Sequence, residues 1–254
     1  MMPSGGLGPS GGEELISGLA QIKALLFDVF GTVVDWRGTI ITEGELLNRS
    51  MGLRVDWATF ADEWRRDGYL AGIDRIRRGE GPWMRVDAIH RRKLDELMPR
   101  HGLAGLSEAQ VDQINRIWHR LVPWPDSVPG LTRLRERYVV APLSNGDFSL
   151  LTSMAKSAKL PWDCIIAAEL THHYKTDAEV YAGAAALLDM PPEEIVMVAA
   201  HGGDLIAARA QGFRTALVNR PLEYGPGGVP EARPDPPFDV VADDFLDLAA
   251  KLGA

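Results

Sequence analysis

The chain has 254 residues, with 27 Lys and Arg against 35 Asp and Glu, a formal charge of −8, and it is 46% hydrophobic and 24% charged. This fits one large α/β domain, or a core with a smaller companion, and the acidic balance argues against a nucleic-acid binder, whose phosphate contacts demand a basic surface. One cysteine, Cys164, excludes an internal disulfide framework and a Cys-rich zinc site, and it fits a reducing compartment. Taken from the start of the chain, Met1 to Gly12 is rich in Gly, Ser and Pro and lacks the basic and apolar regions of a signal peptide. Residues 1–20 therefore read as a flexible leader. No apolar run approaches the length needed to span a bilayer, so no membrane partner and a cytoplasmic location are expected.

Ile22 to Phe27 is a short apolar run that stops abruptly at Asp28, followed by Gly31, which predicts a buried strand opening into a loop. From Gly38 to Leu121 the pattern becomes helical, with candidates at Ile41 to Met51, Trp57 to Leu70, Trp83 to Leu97 and Glu108 to Leu121. Breaks fall at Gly79 to Pro82 and Pro99 to Gly105, and Val122 to Asp126 reads as a return linker. Further apolar runs follow at Tyr138 to Leu143, Cys164 to Ala168, Ile195 to Ala200 and Thr215 to Val218. Helical segments separate them, at Leu150 to Leu160, Glu179 to Leu188 and Leu205 to Gln211. Strands alternating with helices predict an α/β, Rossmann-like, doubly wound parallel sheet. The expected division is a core of residues 21–37 and 125–254, interrupted by an all-helical domain over 38–124.

Charge and aromatic content change along the chain in step with this division. Trp36 to Asp126 holds 15 basic and 14 acidic residues, leaving 12 and 21 elsewhere, so the excess of negative charge lies outside the middle segment. Six of the seven tryptophans (36, 57, 64, 83, 118 and 124) lie inside it, and most are read as its apolar core. His90, His101 and His119 are read as exposed positions of that segment, and Arg66 as solvent-facing.

In a parallel α/β sheet, ligands bind at the carboxyl ends of the strands. Four predicted strand ends carry polar groups: Asp28; Ser144 with Asn145; Lys175; and the loop from His201 to Asp204. Any one alone is equally readable as a helix cap or turn residue, but together they would converge on one crevice. His172 and His173 are adjacent on an extended segment and would point to opposite faces, which argues against a metal site there.

Phe27-Asp28-Val29-Phe30-Gly31-Thr32-Val33, Leu143-Ser144-Asn145-Gly146, Tyr174-Lys175-Thr176-Asp177 with Tyr181, and His201-Gly202-Gly203-Asp204 resemble, in order, the four motifs of the haloacid dehalogenase superfamily. The resemblance covers Ile22 to about Pro221, with the helical insertion as its cap domain, and is strongest to the type II 2-haloacid dehalogenases. Phosphatases of the superfamily carry a second Asp two residues after the nucleophile as general acid, and a further Asp that helps hold Mg²⁺. Here those positions are Phe30 and Ala200. Neither side chain can transfer a proton or bind a hard cation.

The resemblance implies no metal and no cofactor. It implies a two-step displacement in which Asp28 attacks the halogen-bearing carbon of a small anionic 2-haloacid, halide leaves, and water cleaves the resulting aspartyl ester. Lys175 is then the countercharge of Asp28. Thr32 and Ser144 orient Asp28 or bind the substrate carboxylate, Asn145 meets halide, and Tyr181 belongs to the substrate site. Water activation is open between Asp204 and His201, the latter standing where relatives often have Asn. The halide or carboxylate cation is open between Arg65, in a Trp64-Arg65 pair, and Arg37. A pocket narrowed by Phe30, Trp36 or a cap aromatic would favour haloacetates, fluoroacetate included. A homodimer is the assembly implied. The rival readings are a phosphatase of the same superfamily and a non-catalytic protein that binds small anions.

Overall fold

The computed structural model describes residues 21–228 and 238–254; the expected leader lies outside them. Six parallel strands form one sheet in the order β5-β4-β1-β6-β7-β8: β1 (Ala24–Phe27), β4 (Val139–Ser144), β5 (Ile166–Ala167), β6 (Ile195–Ala199), β7 (Arg214–Val218) and β8 (Val240–Ala242). β1 is central, with Phe27 opposite Pro142 on one side and Val198 on the other. Its four residues are fully buried, as expected for a strand covered on both faces. Helices lie between the successive strands from β1 to β7 and pack on the sheet, including Ser127–Arg135 against β4 and Gly202–Ala210 against β6 and β7. This is the predicted α/β class. β8 is an additional strand, its apolar run flanked closely by Asp239 and Asp243.

The two crossings into and out of the insertion pair with each other. β2 (Val34–Asp35) runs antiparallel to β3 (Val122–Pro123), so the cap rests on a two-stranded stem rather than on unstructured linkers. The first cap helix, Trp36–Met51, starts at the Asp35 side chain, which accepts from Gly38 N at 2.8 Å. It ends at Gly52, whose φ of 68° suits glycine. The predicted helix over Trp57 to Leu70 is α-helical only through Glu63; Trp64–Leu70 is a π-helix, and Ala71–Arg77 continues as an unanticipated α-helix. The π segment buries Trp64, Arg65, Gly68 and Tyr69, bringing a cation and a phenol to the face that looks at the core.

Cap and core are stitched by polar contacts. The helix Val86–Leu97 has no cap from its own chain neighbours; Asp147 of the core accepts from Val86 N and Asp87 N at 2.9 and 2.8 Å instead. Arg77 reaches Asp177 and Thr176 at 2.7 and 3.0 Å. Among the described residues no helix is long and apolar enough to cross a membrane.

Candidate active site

Asp28 leaves the carboxyl end of β1, its N–H donating to Val198 O of β6 at 2.9 Å. The chain then turns through Gly31 at φ 93°, and a side chain there would run into the Glu223 carboxyl, so this position needs glycine for its backbone angle and for space. Thr32 follows, its hydroxyl donating to Asp28 Oδ2 at 2.7 Å and accepting from Ala200 N at 2.9 Å. Arg220 fixes this loop from behind by donating to Thr32 O, while Asp126 holds its guanidinium at 2.8 Å through both carboxylate oxygens.

Lys175 Nζ lies between two carboxylates, 2.8 Å from Asp28 Oδ1 and 2.5 Å from Asp204 Oδ2. Its backbone is pinned by Asn145 Oδ1, which accepts from Lys175 N at 2.7 Å. Tyr181 donates to Asp204 Oδ1 at 2.7 Å. His201 Nδ1 lies 3.0 Å from Asp28 Oδ2, and its Nε2 lies 3.0 and 3.1 Å from the two oxygens of Glu223. Glu223, itself buried, also accepts from Trp36 Nε1 at 3.2 Å and lies 3.8 Å from Arg65.

Burial would raise the Asp28 pKa, but the Lys175 charge and the His201 hydrogen bond more than reverse it, holding the carboxyl well below its usual range. Burial dominates at Asp204 and raises its pKa despite the Lys175 charge. Two carboxylates that share one ammonium are thereby driven apart: one stays an anion, and the other is a readier proton acceptor. At His201 burial works against the charged ring, yet Asp28 and Glu223 push the pKa up to about 10.

Above this floor the cap contributes Arg65, its guanidinium 4.8 Å from the Trp36 ring centre and 5.1 Å from that of Tyr69. Arg65 Nη1 is buried with no hydrogen-bond partner among the described residues. Between floor and roof lies a cavity of about 240 Å³, lined by Asp28, Phe30, Arg65, Tyr69, Asn145 and Asp204 among others.

The structure thus brings Asp28, Lys175, Asp204, His201, Asn145 and Arg65 to one cavity, with Thr32 behind Asp28. Three expected site residues lie elsewhere. Arg37 is clamped by Asp62 at 2.7 and 2.9 Å, which turns its charge away from the cavity. Tyr181 stands behind Asp204 and does not line the cavity, so it faces the carboxylate rather than a substrate. Ser144 is buried beneath the wall, its oxygen accepting from Gly146 N at 3.1 Å in the turn that opens the next helix. Trp36 packs under Arg65; Phe30 and Tyr69 narrow the space instead.

The cap histidines also correct the sequence reading. His90 is fully buried, stacked on Trp118 with ring centres 4.1 Å apart, and burial pushes its pKa down to about 3. His119 is buried against Asp87 at 2.9 Å, and His101 meets Glu63 at 3.1 Å. Arg66 is exposed, as expected.

Sequence reasoning missed Glu223 and Tyr69. Glu223 lies in the loop five residues beyond the end of β7, and no motif marks it. Tyr69 stands four residues after Arg65, a spacing that puts both on one face of a regular helix and that is also met in the π segment.

An Asp at the end of the central strand, bridged by Lys to a second Asp beyond the end of the neighbouring strand and roofed by a helical insertion, defines a hydrolase of the haloacid dehalogenase type. The family described as haloacid dehalogenase-like hydrolase matches residues 22–212, and the chain belongs to it. Within that family it is similar to (S)-2-haloacid dehalogenase 4A of Burkholderia cepacia, at 26% identity over 225 residues, covering 80% of this chain and 87% of that one. Among solved structures, the L-2-haloacid dehalogenase PA0810 is 45% identical with a TM-score of 0.87, covering 91% of this chain and 99% of that one. The defluorinating L-2-haloacid dehalogenase Rha0230 is 42% identical with a TM-score of 0.88, covering 92% and 96%.

Proposed function

We propose that the protein hydrolyses short (S)-2-haloalkanoic acids to 2-hydroxy acids through an ester on Asp28. The observation that carries this is the pairing of an ionised Asp28 with Lys175 directly beneath a buried arginine whose Nη1 has no partner among the described residues. In the first step an Asp28 oxygen bonds to C2 of the substrate as the carbon–halogen bond breaks, and halide departs with the electron pair towards Arg65. In the second, water bonds to the Asp28 carboxyl carbon, Asp204 takes its proton and passes it to the departing oxygen, and the 2-hydroxy acid leaves as the carboxylate re-forms and the second water proton is lost to solvent. The halide of the first step needs no general acid, which suits Phe30 at the position where phosphatase relatives carry one.

The cavity volume, about 240 Å³, lies below the usual range for ligand pockets and favours two- and three-carbon acids. Fluoroacetate belongs among the candidates: aromatic walls at Phe30 and Tyr69 leave little room beside Arg65, and the 42% identical relative is named for defluorination. An exposed free Cys164 suits a cytoplasmic setting, and a homodimer is the assembly proposed from the family resemblance.

The test is halide release from haloacetates and from L- and D-2-halopropionates in the presence of EDTA. Release from the L-acids, lost in Asp28→Asn, is expected. Turnover of phosphomonoesters that requires Mg²⁺, with no halide released, would overturn the reading in favour of a phosphatase.

A further inference from the structure

Both nitrogens of His201 face carboxylate oxygens, Nδ1 at Asp28 and Nε2 at Glu223. An ionised carboxylate only accepts hydrogen bonds, so a ring placed this way donates from both nitrogens and is an imidazolium. The surrounding charges agree. Asp28, Asp204 and Glu223 face Lys175, Arg65 and His201; with a neutral histidine the cavity would carry an excess negative charge against an anionic substrate. A ring already holding both protons has no lone pair with which to activate water.

The hydrogen bonds on Asp28 also distinguish its two oxygens. Among the described residues, Oδ2 receives Thr32 and His201, which occupies both of its lone-pair directions, whereas Oδ1 receives Lys175 alone. Oδ1 is therefore the oxygen free to bond to carbon, and Oδ2 becomes the carbonyl oxygen of the ester. When water adds to the carboxyl carbon, negative charge develops on Oδ2, already between a hydroxyl donor and a cationic N–H.

We propose that Glu223 is a positioning residue that keeps His201 as a doubly donating cation against Asp28 Oδ2, so that the pair stabilises the oxyanion of ester hydrolysis. This rests on the dehalogenase reading. In the second step water oxygen bonds to the Asp28 carboxyl carbon, the electron pair of the carbonyl moves onto Oδ2, and collapse of that intermediate breaks the bond from the carboxyl carbon to Oδ1. As that bond breaks, Asp204 passes the proton it took from water to Oδ1, which leaves as the hydroxyl of the 2-hydroxy acid, and the second water proton goes to solvent as the Asp28 carboxylate re-forms. His201 keeps its protons throughout. Gly31 is part of the device, since only its missing side chain lets Glu223 approach the loop that carries the nucleophile.

The experiment uses the full chain labelled with ¹⁵N-histidine, His201 being assigned by its absence in His201→Asn. Both ring nitrogens are expected to be protonated at pH 8 in the wild type, with the titration midpoint falling by more than about one pH unit in Glu223→Gln. With L-2-chloropropionate in a single turnover, Glu223→Gln should slow ester hydrolysis about 100-fold while slowing halide release less than about tenfold, so that the Asp28 ester accumulates and is seen by mass. Glu223→Asp, keeping the charge, should restore part of the hydrolysis rate. A neutral His201 at pH 8 in the wild type, or equal slowing of both steps in Glu223→Gln, would overturn the proposal. Failure of the dehalogenase reading is distinguishable, because then the wild type itself releases no halide.

Discussion

The floor and the roof of the cavity treat buried polarity in opposite ways. On the floor, Asp28, Lys175, Asp204, His201 and Glu223 form one chain of opposite charges at 2.5 to 3.1 Å. In the roof, Arg65 lies between aromatic rings with Nη1 unmatched, and behind it His90 has neither ring nitrogen hydrogen-bonded among the described residues. His201 and His90 therefore differ in charge: His201 is held as a cation, its pKa up at about 10, and His90 as a neutral ring, its pKa down at about 3. A charge whose partners are already in place suits catalysis that needs a fixed field, whereas a cation short of acceptors suits capture of an incoming anion.

The sharpest way to break this contrast is Lys175→Met, which leaves two buried carboxylates facing each other without their cation. It should destabilise the fold by about 3–5 kcal/mol and abolish halide release, read by urea unfolding and a halide assay. In the roof the expected loss is functional. Arg65→Met should lower halide release about 100-fold while stability hardly falls, because this guanidinium makes one long contact to Phe30 O at 3.5 Å and one to Glu223 at 3.8 Å.

The histidines carry a pH signature of opposite sign. His90 takes up a proton in the unfolded chain below about pH 6.5 but resists it in the folded one, so stability falls with pH from there towards 3. At pH 5 the loss is about 2 kcal/mol, and His90→Phe should remove it. His201 has the raised value: its contribution is complete below about pH 6.5 and is lost as the pH climbs through 10. Urea unfolding at pH 5, 7 and 9 separates the two. The smallest effect is expected for Arg37→Met, which breaks a half-exposed pair with Asp62 at a cost of about 1 kcal/mol or less and should change halide release less than about twofold.

The sheet was legible because its strands are apolar runs ending at polar residues, and Asp28, Lys175 and Asp204 were legible because a parallel sheet gathers such ends. The cap was legible as helical but not in its register. Periodicity assumes 3.6 residues per turn, and Trp64–Leu70 departs from it where Arg65 and Tyr69 are aimed. Charge misled at Arg37 and polarity misled at His90: nothing in sequence marks Asp62 as the partner of the first, or the Trp118 ring as the neighbour of the second. Glu223 was hidden because its partners, Trp36, Arg65 and His201, come from three separate stretches of chain.

The central claim is that the substrate's new oxygen comes from Asp28 rather than directly from water. A single turnover in H₂¹⁸O with enzyme in excess tests it, reading the label by mass spectrometry in the product and in the peptide that carries Asp28. An unlabelled 2-hydroxy acid and ¹⁸O in the Asp28 carboxylate are expected; labelled product with unlabelled Asp28 would contradict the ester intermediate.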